Sequence, residues 1–270
     1  MTRVLSAGVL LAVVIGTLWL APVWATVGLA ALAAALAGGE LAGLARATGA
    51  AVPPVFLGAG AALVCIAFAV GPLVAPGGGK DAFEFVLLAG LIATGAVSLA
   101  GPPGPAAFVR AGVAMMGPLY VGLPLGALAS IRAFSGPAAV LWLIIVVTVS
   151  DSAQYYTGRL AGRHKLAPVV SPGKTVEGAI GGVIAATIAG AVAGPRLVEA
   201  APLTMATGAL VGALVAAFGI LGDLFESLLK RSAGAKDSSS LIPGHGGVLD
   251  RLDSYLFAAP CFYVVLRVLG

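Results

Sequence analysis

Charge is scarce in this chain. Only 26 of its 270 residues, 10%, are Asp, Glu, Lys or Arg, where an ordinary soluble domain carries about a quarter. Hydrophobic residues make up 60% and the mean hydropathy is +1.07. So few charges cannot cover the surface of a globule of this size, which excludes a water-soluble fold and leaves a bilayer as the solvent. Cysteine is equally rare: Cys65 and Cys261, each inside an apolar run, exclude a disulfide framework and a cysteine-based zinc site and read as buried packing residues. His245, 81 positions from the other histidine, His164, offers no metal-ligand spacing. A formal net charge of +4 in such a chain encodes membrane orientation rather than affinity for nucleic acid, which is excluded as a partner.

What the sequence has in abundance is apolar runs. A spanning helix needs roughly 17–25 mainly apolar residues, and about nine such runs are present: residues 4–20, 23–42, 55–75, 83–100, 113–129, 138–155, 176–193, 203–221 and 254–269. The expected fold is therefore all-α, a polytopic membrane protein. Residues 1–135 are expected to form an N-terminal transmembrane region of about five spans, and residues 136–270 a C-terminal region of about four spans with two polar loops. Joints fall at Pro22, Pro53-Pro54, Pro76, Gly101 to Pro105, Gly136-Pro137, Gly194-Pro195 and Pro202. The fifth run carries Pro118 and Pro124, which predicts a kinked or partly re-entrant segment. The first run also has the pattern of a signal peptide, but the apolar spans that follow at once favour reading it as a span. With the N-terminus inside, eleven Lys and Arg fall on the inner side and four, Lys80, Arg132, Arg196 and Arg267, on the outer. That asymmetry fits the positive-inside rule. Abundant Gly and Ala suggest close helix packing, and dimerisation through those faces is one expectation.

Fifteen of the 26 charges crowd into residues 151–177 and 223–253. Ionisable groups near span ends are costly unless paired, hydrated or metal-bound, so these stretches mark the site. The first begins at Asp151, passes through a basic loop with Arg159, Arg163 and Lys165, and continues as Ser171-Pro172-Gly173-Lys174-Thr175, with Pro172 expected to start the next helix. Gly173-Lys174-Thr175 has the look of a Walker A ending, but Pro168 stands where its first glycine belongs and no strand precedes it. Physically, Lys174 with the backbone N–H groups of a helix start suits an anion; the alternative is that Arg159, Arg163, Lys165 and Lys174 only hold the loop inside and touch lipid headgroups.

In the second stretch Asp223, Glu226, Ser227 and Lys230 share one helix face, and Glu226 with Lys230 fits an i,i+4 surface pair. Asp223 ends one span and Asp250 is expected to open the next, which would bring two carboxylates to one depth. Such a pair calls for a cation, and magnesium, held by one or two carboxylates while phosphates and waters complete its shell, suits best. Asp253, one turn from Asp250, is open between a metal role and a bond to Arg251. His245 is open among a general acid, a phosphate donor and a turn residue, and Gly244, Gly246 and Gly247 suit a loop whose backbone approaches a phosphate.

The run Ser227-x-Leu229-Lys230-Arg231-x4-Lys236-Asp237-x-Ser239-x2-Ile242-Pro243-x-His245-Gly246-Gly247-Val248-x-Asp250-Arg251-Leu252-Asp253 resembles, over 27 ungapped positions, the signature of the phosphatidate cytidylyltransferases. The block from Asp151 to Gly178 is similar to that family too, with departures at Ser152-Ala153-Gln154, Gly173 and Val176. The resemblance implies an integral membrane enzyme that converts CTP and phosphatidic acid into CDP-diacylglycerol and pyrophosphate with Mg²⁺, a second metal ion being left open, at the cytoplasmic face of a bacterial inner membrane. It assigns Asp223 and Asp250 to the metal, Lys174, Lys230, Arg231, Lys236 and Arg251 to phosphates, and Ser171 and His245 as further substrate contacts, with Asp223, Asp250, Lys174, Arg251 and Asp253 as the catalytic set. The residues agree independently. A lipid phosphate is already ionised near neutral pH, so its attack on phosphorus needs positioning and charge neutralisation more than a protein nucleophile, and the sequence has no Ser-His-Asp or Cys-His arrangement. Three alternatives remain: a CTP-dependent lipid kinase, using Asp250 or Asp253 as base; a CDP-alcohol phosphotransferase, whose D-G-x2-A-R opening is absent; and a transporter using Asp151, Asp223 and Asp250 as ion sites.

Overall fold

A computed structural model describes residues 2–70, 78–198 and 203–269. The elements are α1 (Thr2–Leu20), α2 (Val23–Ala47), α3 (Pro54–Val70), α4 (Gly78–Leu99), α5 (Pro105–Ala161), β1 (Lys165–Ala167), β2 (Ser171–Thr175), α6 (Val176–Leu197), α7 (Met205–Ser232), α8 (Leu249–Leu252) and α9 (Tyr255–Leu269). The protein is thus nearly all helical. The expected joints at Pro76 and Pro202, and the end of the third run at Ala75, lie outside the described residues.

Among the described residues, six helical stretches are long and apolar enough to cross a bilayer: α2, Asp81–Leu99, α5, α6, α7 and Leu249–Leu269. Two further apolar helices, Gly8–Leu20 and Pro54–Val70, are shorter. Nine runs and six helices differ partly because the fifth and sixth runs fall within α5. At about 1.5 Å per residue, its 57 residues far exceed one bilayer thickness. Gly136, with φ 82° and ψ 175°, interrupts it, in a left-handed region that glycine enters without the Cβ penalty, and Pro137 restarts the helix with its fixed φ. At Pro118 and Pro124, where a kink or re-entry is expected, α5 remains helical. Likewise α6 continues through Pro195 to Leu197 instead of ending at Gly194.

Two compact units are present, one made of Met1–Ala133 and Leu229–Leu252, the other of Phe134–Leu228 and Asp253–Gly270. In the first, α2 and α3 approach backbone to backbone: a Cβ on Gly38 would stand 2.7 Å from the Leu57 carbonyl oxygen, and one on Gly58 2.6 Å from that of Ala35. Small residues therefore set this packing, as is usual where lipid supplies no hydrophobic drive between helices. Arg132 donates to the Leu18 carbonyl at the end of α1 (3.0 Å), and buried Arg110 donates to Ser98 and Pro102 around the end of α4. Both are cations on helix C-terminal carbonyls. In the second unit, fully buried Trp142 and Phe262 stack 4.6 Å apart, while Ala186, Gly190, Gly208 and Gly212 bring α6 and α7 together.

The second unit also holds a small antiparallel hairpin, β1 with β2, paired Lys165 to Thr175 and Ala167 to Ser171. Pro172 therefore does not start a helix; it lies inside β2, and α6 begins at Val176 with Thr175 as N-cap, its hydroxyl accepting from the Gly178 N–H at 3.1 Å. Asp250 sits in the short turn α8, at the start of the apolar stretch Leu249–Leu269 that α9 completes.

Candidate functional site

In the first unit the polar residues are organised by the segment that follows α7. That helix ends in a glycine cap: Gly234 has φ 67°, the Ala235 N–H donates to the Lys230 carbonyl at 2.8 Å, and Arg231 donates to the Ala235 carbonyl at 3.0 Å. Lys236 is exposed beyond it. Ile242-Pro243-Gly244-His245 then forms a type II-like turn, closed by the His245 N–H on the Ile242 carbonyl at 2.9 Å, with Gly244 at φ 77°. His245 closes this turn through its backbone and is half-buried. Ile242 and Gly246 pair across the base of the turn.

Asp250 holds this loop from beneath. Its Oδ1 accepts from the Lys230 ammonium at 2.7 Å, and its Oδ2 accepts from the Ser238 N–H, the Ser238 hydroxyl and the Gly247 N–H, each at 2.8 Å. Four donors fill what a carboxylate ordinarily accepts. The Asp250 and Lys230 side chains are 5% and 12% exposed, so the pair is shielded from solvent. Glu226, read as a member of a surface pair with Lys230, is fully buried rather than at the surface, and Lys230 reaches Asp250. Arg251 is exposed on α8.

Glu40, which the sequence reading left inside an ordinary span, faces the same loop from α2. It accepts from the Ser239 hydroxyl (2.7 Å), the Val248 N–H (2.9 Å), the Leu249 N–H (2.8 Å) and the Ser238 hydroxyl (2.9 Å). The signal was available: an acidic residue inside an apolar run is a site by default.

The second unit carries its own polar cluster. Lys174 on β2 pairs with Asp223 of α7 at 2.5 Å, with side-chain exposures of 20% and 30%. Ser227 Oγ lies 3.4 Å from Asp223 Oδ1. Asp151 on α5 accepts from Gln154 at 3.1 Å and from Ser254, and lies within the fields of Asp223 and Lys174. The sequence presents Asp151 as the start of a charged stretch and, in the transporter alternative, as an ion site, but not as a member of the catalytic set beside this pair. Ser171 is at the other end of β2, half-buried. Asp253 accepts from the Ser254 N–H at 2.7 Å. Glu177 fixes the hairpin by accepting from the Arg163 N–H (3.0 Å), the His164 N–H (3.2 Å) and facing His164 Nδ1 at 2.6 Å. The lysine that was to cooperate with a helix N-terminus thus approaches from a strand, one residue before the N-cap.

The donors fit a hard divalent cation. Among the described residues no three His, Cys, Asp or Glu form a ready-made ligand group. Magnesium, however, commonly takes only one or two carboxylates, with phosphate oxygens and water as its remaining ligands. Asp223 is partly open, whereas Asp250 is buried and already engages Lys230 and the donors of the loop.

The profile of the cytidylyltransferase family matches residues 1–269. Similar proteins include YnbB of Escherichia coli, 46% identical over 132 residues, covering 49% of this chain and 43% of that protein. The phosphatidate cytidylyltransferase of Helicobacter pylori strain J99 is 41% identical over 151 residues, 56% of this chain and 55% of its own. That of Bacillus subtilis is 37% identical over 163 residues, 60% of each. The chain thus spans between two-fifths and three-fifths of the length of these curated relatives. With a family profile matched over nearly its whole length, the chain belongs to the cytidylyltransferase family.

Proposed function

We propose that this membrane protein is a phosphatidate cytidylyltransferase, transferring CMP from CTP to phosphatidic acid and releasing pyrophosphate, with its polar loops facing the cytoplasm. The observation that carries the reading is that the lysines assigned to phosphate, Lys174 and Lys230, are each stored on an acidic partner assigned to the metal. Relatives in two bacteria bear that enzyme's name. In the reaction a non-bridging oxygen of the lipid phosphate attacks the α-phosphorus of CTP, a P–O bond forms, and the bond to the β-phosphate breaks, its electrons leaving on pyrophosphate. No proton must be removed from the nucleophile, so the residues have only to hold phosphates in line and neutralise charge.

In this reading Lys230 and Lys174 exchange their carboxylates for incoming phosphate oxygens. Arg231, Lys236 and Arg251 add positive charge around the loop, and Ser171 and His245 contribute hydrogen bonds to substrate. Asp223 and Asp250, each within its own unit, are the carboxylates that would be offered to Mg²⁺, which when bound neutralises phosphate charge as a Lewis acid. Asp253 is the remaining member of the catalytic set.

The test uses purified protein, phosphatidic acid, and CTP labelled at the α or the γ phosphate. Label from the α position should enter lipid with one pyrophosphate released per turnover. Lipid labelled only from the γ position would make the protein a kinase and overturn the reading.

A further inference from the structure

We infer that Glu40, on α2 of the N-terminal helices, is a positioning residue that holds the Asp250 loop in its working shape. This rests on the proposed function only for what the loop is held to do. A carboxylate within an apolar helix is expensive to leave unsatisfied, and all four donors that serve Glu40 come from residues 238–249. Two are the consecutive backbone N–H groups of Val248 and Leu249 leading into α8, and two are the hydroxyls of Ser238 and Ser239. Ser238 Oγ stands 2.9 Å from Glu40 and 2.8 Å from Asp250. One hydroxyl proton can serve only one of them at a time, so the two carboxylates are coupled through a single side chain. The loop is thus clamped from two directions: Asp250 holds Ser238 and Gly247, and Glu40 holds Ser238, Ser239, Val248 and Leu249. Gly247 is required at the centre, because a Cβ there would run into both Ser238 Oγ and the Glu40 carboxylate. Loss of Glu40 would leave two adjacent N–H groups without their acceptor and Ser238 free to turn away from Asp250.

The test compares the full-length wild type with Glu40→Gln, Glu40→Asp and, independently, Gly247→Ala, which should displace Glu40 without removing it. Glu40→Gln keeps the volume but offers one acceptor oxygen and an amide that faces donors. Its kcat should fall at least tenfold with the KM for phosphatidic acid within twofold of wild type and no loss of monodisperse protein. Glu40→Asp retains the charge but is one methylene short, and should fall between the two. Amide exchange of Val248 and Leu249 should be slow in wild type and accelerate in Glu40→Gln and Gly247→Ala. Wild-type turnover in Glu40→Gln, or equal exchange of those two amides in wild type and variant, would overturn the inference, as would a kcat loss that merely tracks the fraction of folded protein. If the wild type transfers no cytidylyl group, the proposed function fails, and the exchange comparison still decides the role of Glu40.

Discussion

At the scale of single residues, the Lys230–Asp250 pair invites a double-substitution test. Removing one member of a shielded ion pair strands the other, at a cost of about 3–5 kcal/mol, whereas removing both charges does not. Lys230→Met should therefore lower the melting temperature in detergent, and Lys230→Met with Asp250→Asn should recover part of that loss. Turnover should behave differently, remaining depressed by about 10²–10³-fold in both, the scale of removing one preorganised electrostatic contact. A double variant that regains activity along with stability would mean that the pair is structural only. Lys174 tests the second cluster. Lys174→Met should reduce kcat/KM for CTP by about 10²-fold, and Lys174→Arg should restore only part of it, because a planar guanidinium does not replace a compact ammonium on the Asp223 carboxylate.

Elements divide into those the sequence exposes and those it hides. The breaks at Pro22, Pro53-Pro54 and Gly136 were legible because proline and left-handed glycine act on the backbone locally, whatever the tertiary context. The hairpin was not: β2 is Ser171-Pro172-Gly173-Lys174-Thr175, which has neither alternation nor β-branched residues before Thr175. Proline survives there because each strand of a two-stranded sheet has an unpaired edge, and what holds the strand is long-range, the Glu177 carboxylate gripping the N–H groups of Arg163 and His164. Glu40 itself stood out as a carboxylate in an apolar run, but its partners were hidden for the same reason, since its donors lie about 200 positions away in sequence. The hairpin's wiring can be checked. Glu177→Gln should speed tryptic cleavage after Arg163 and Lys165 and raise the KM for CTP several-fold, because Lys174 is carried by the loosened strand. Thr175→Ala, which removes the α6 cap, should cost about 1 kcal/mol and do the same more weakly. Unchanged cleavage in both variants would show that the hairpin is held by something other than these two side chains.

For the molecule as a whole, composition dictated a membrane protein because 26 charges cannot dress a chain that is 60% hydrophobic, and the helices bear that out. Orientation depends on a separate effect, the retention of Lys and Arg on the cytoplasmic side, and the eleven-to-four distribution over the nine apolar runs predicts that the hairpin and the loop after α7 lie inside. The consequence can be measured in a background with Cys65 and Cys261 replaced by alanine. Val169, 89% exposed in the hairpin turn, and Ser240, exposed in the loop, can each be replaced by cysteine without touching an assigned residue. Leu20, 89% exposed at the end of α1, serves as the opposite marker. A membrane-impermeant maleimide should label Val169→Cys and Ser240→Cys in inverted vesicles and spare them in right-side-out ones, with Leu20→Cys showing the reverse. CTP is charged and confined to the compartment that makes it, so a loop labelled from outside could not meet its nucleotide, and the proposed chemistry would lose its substrate whatever the geometry of its carboxylates.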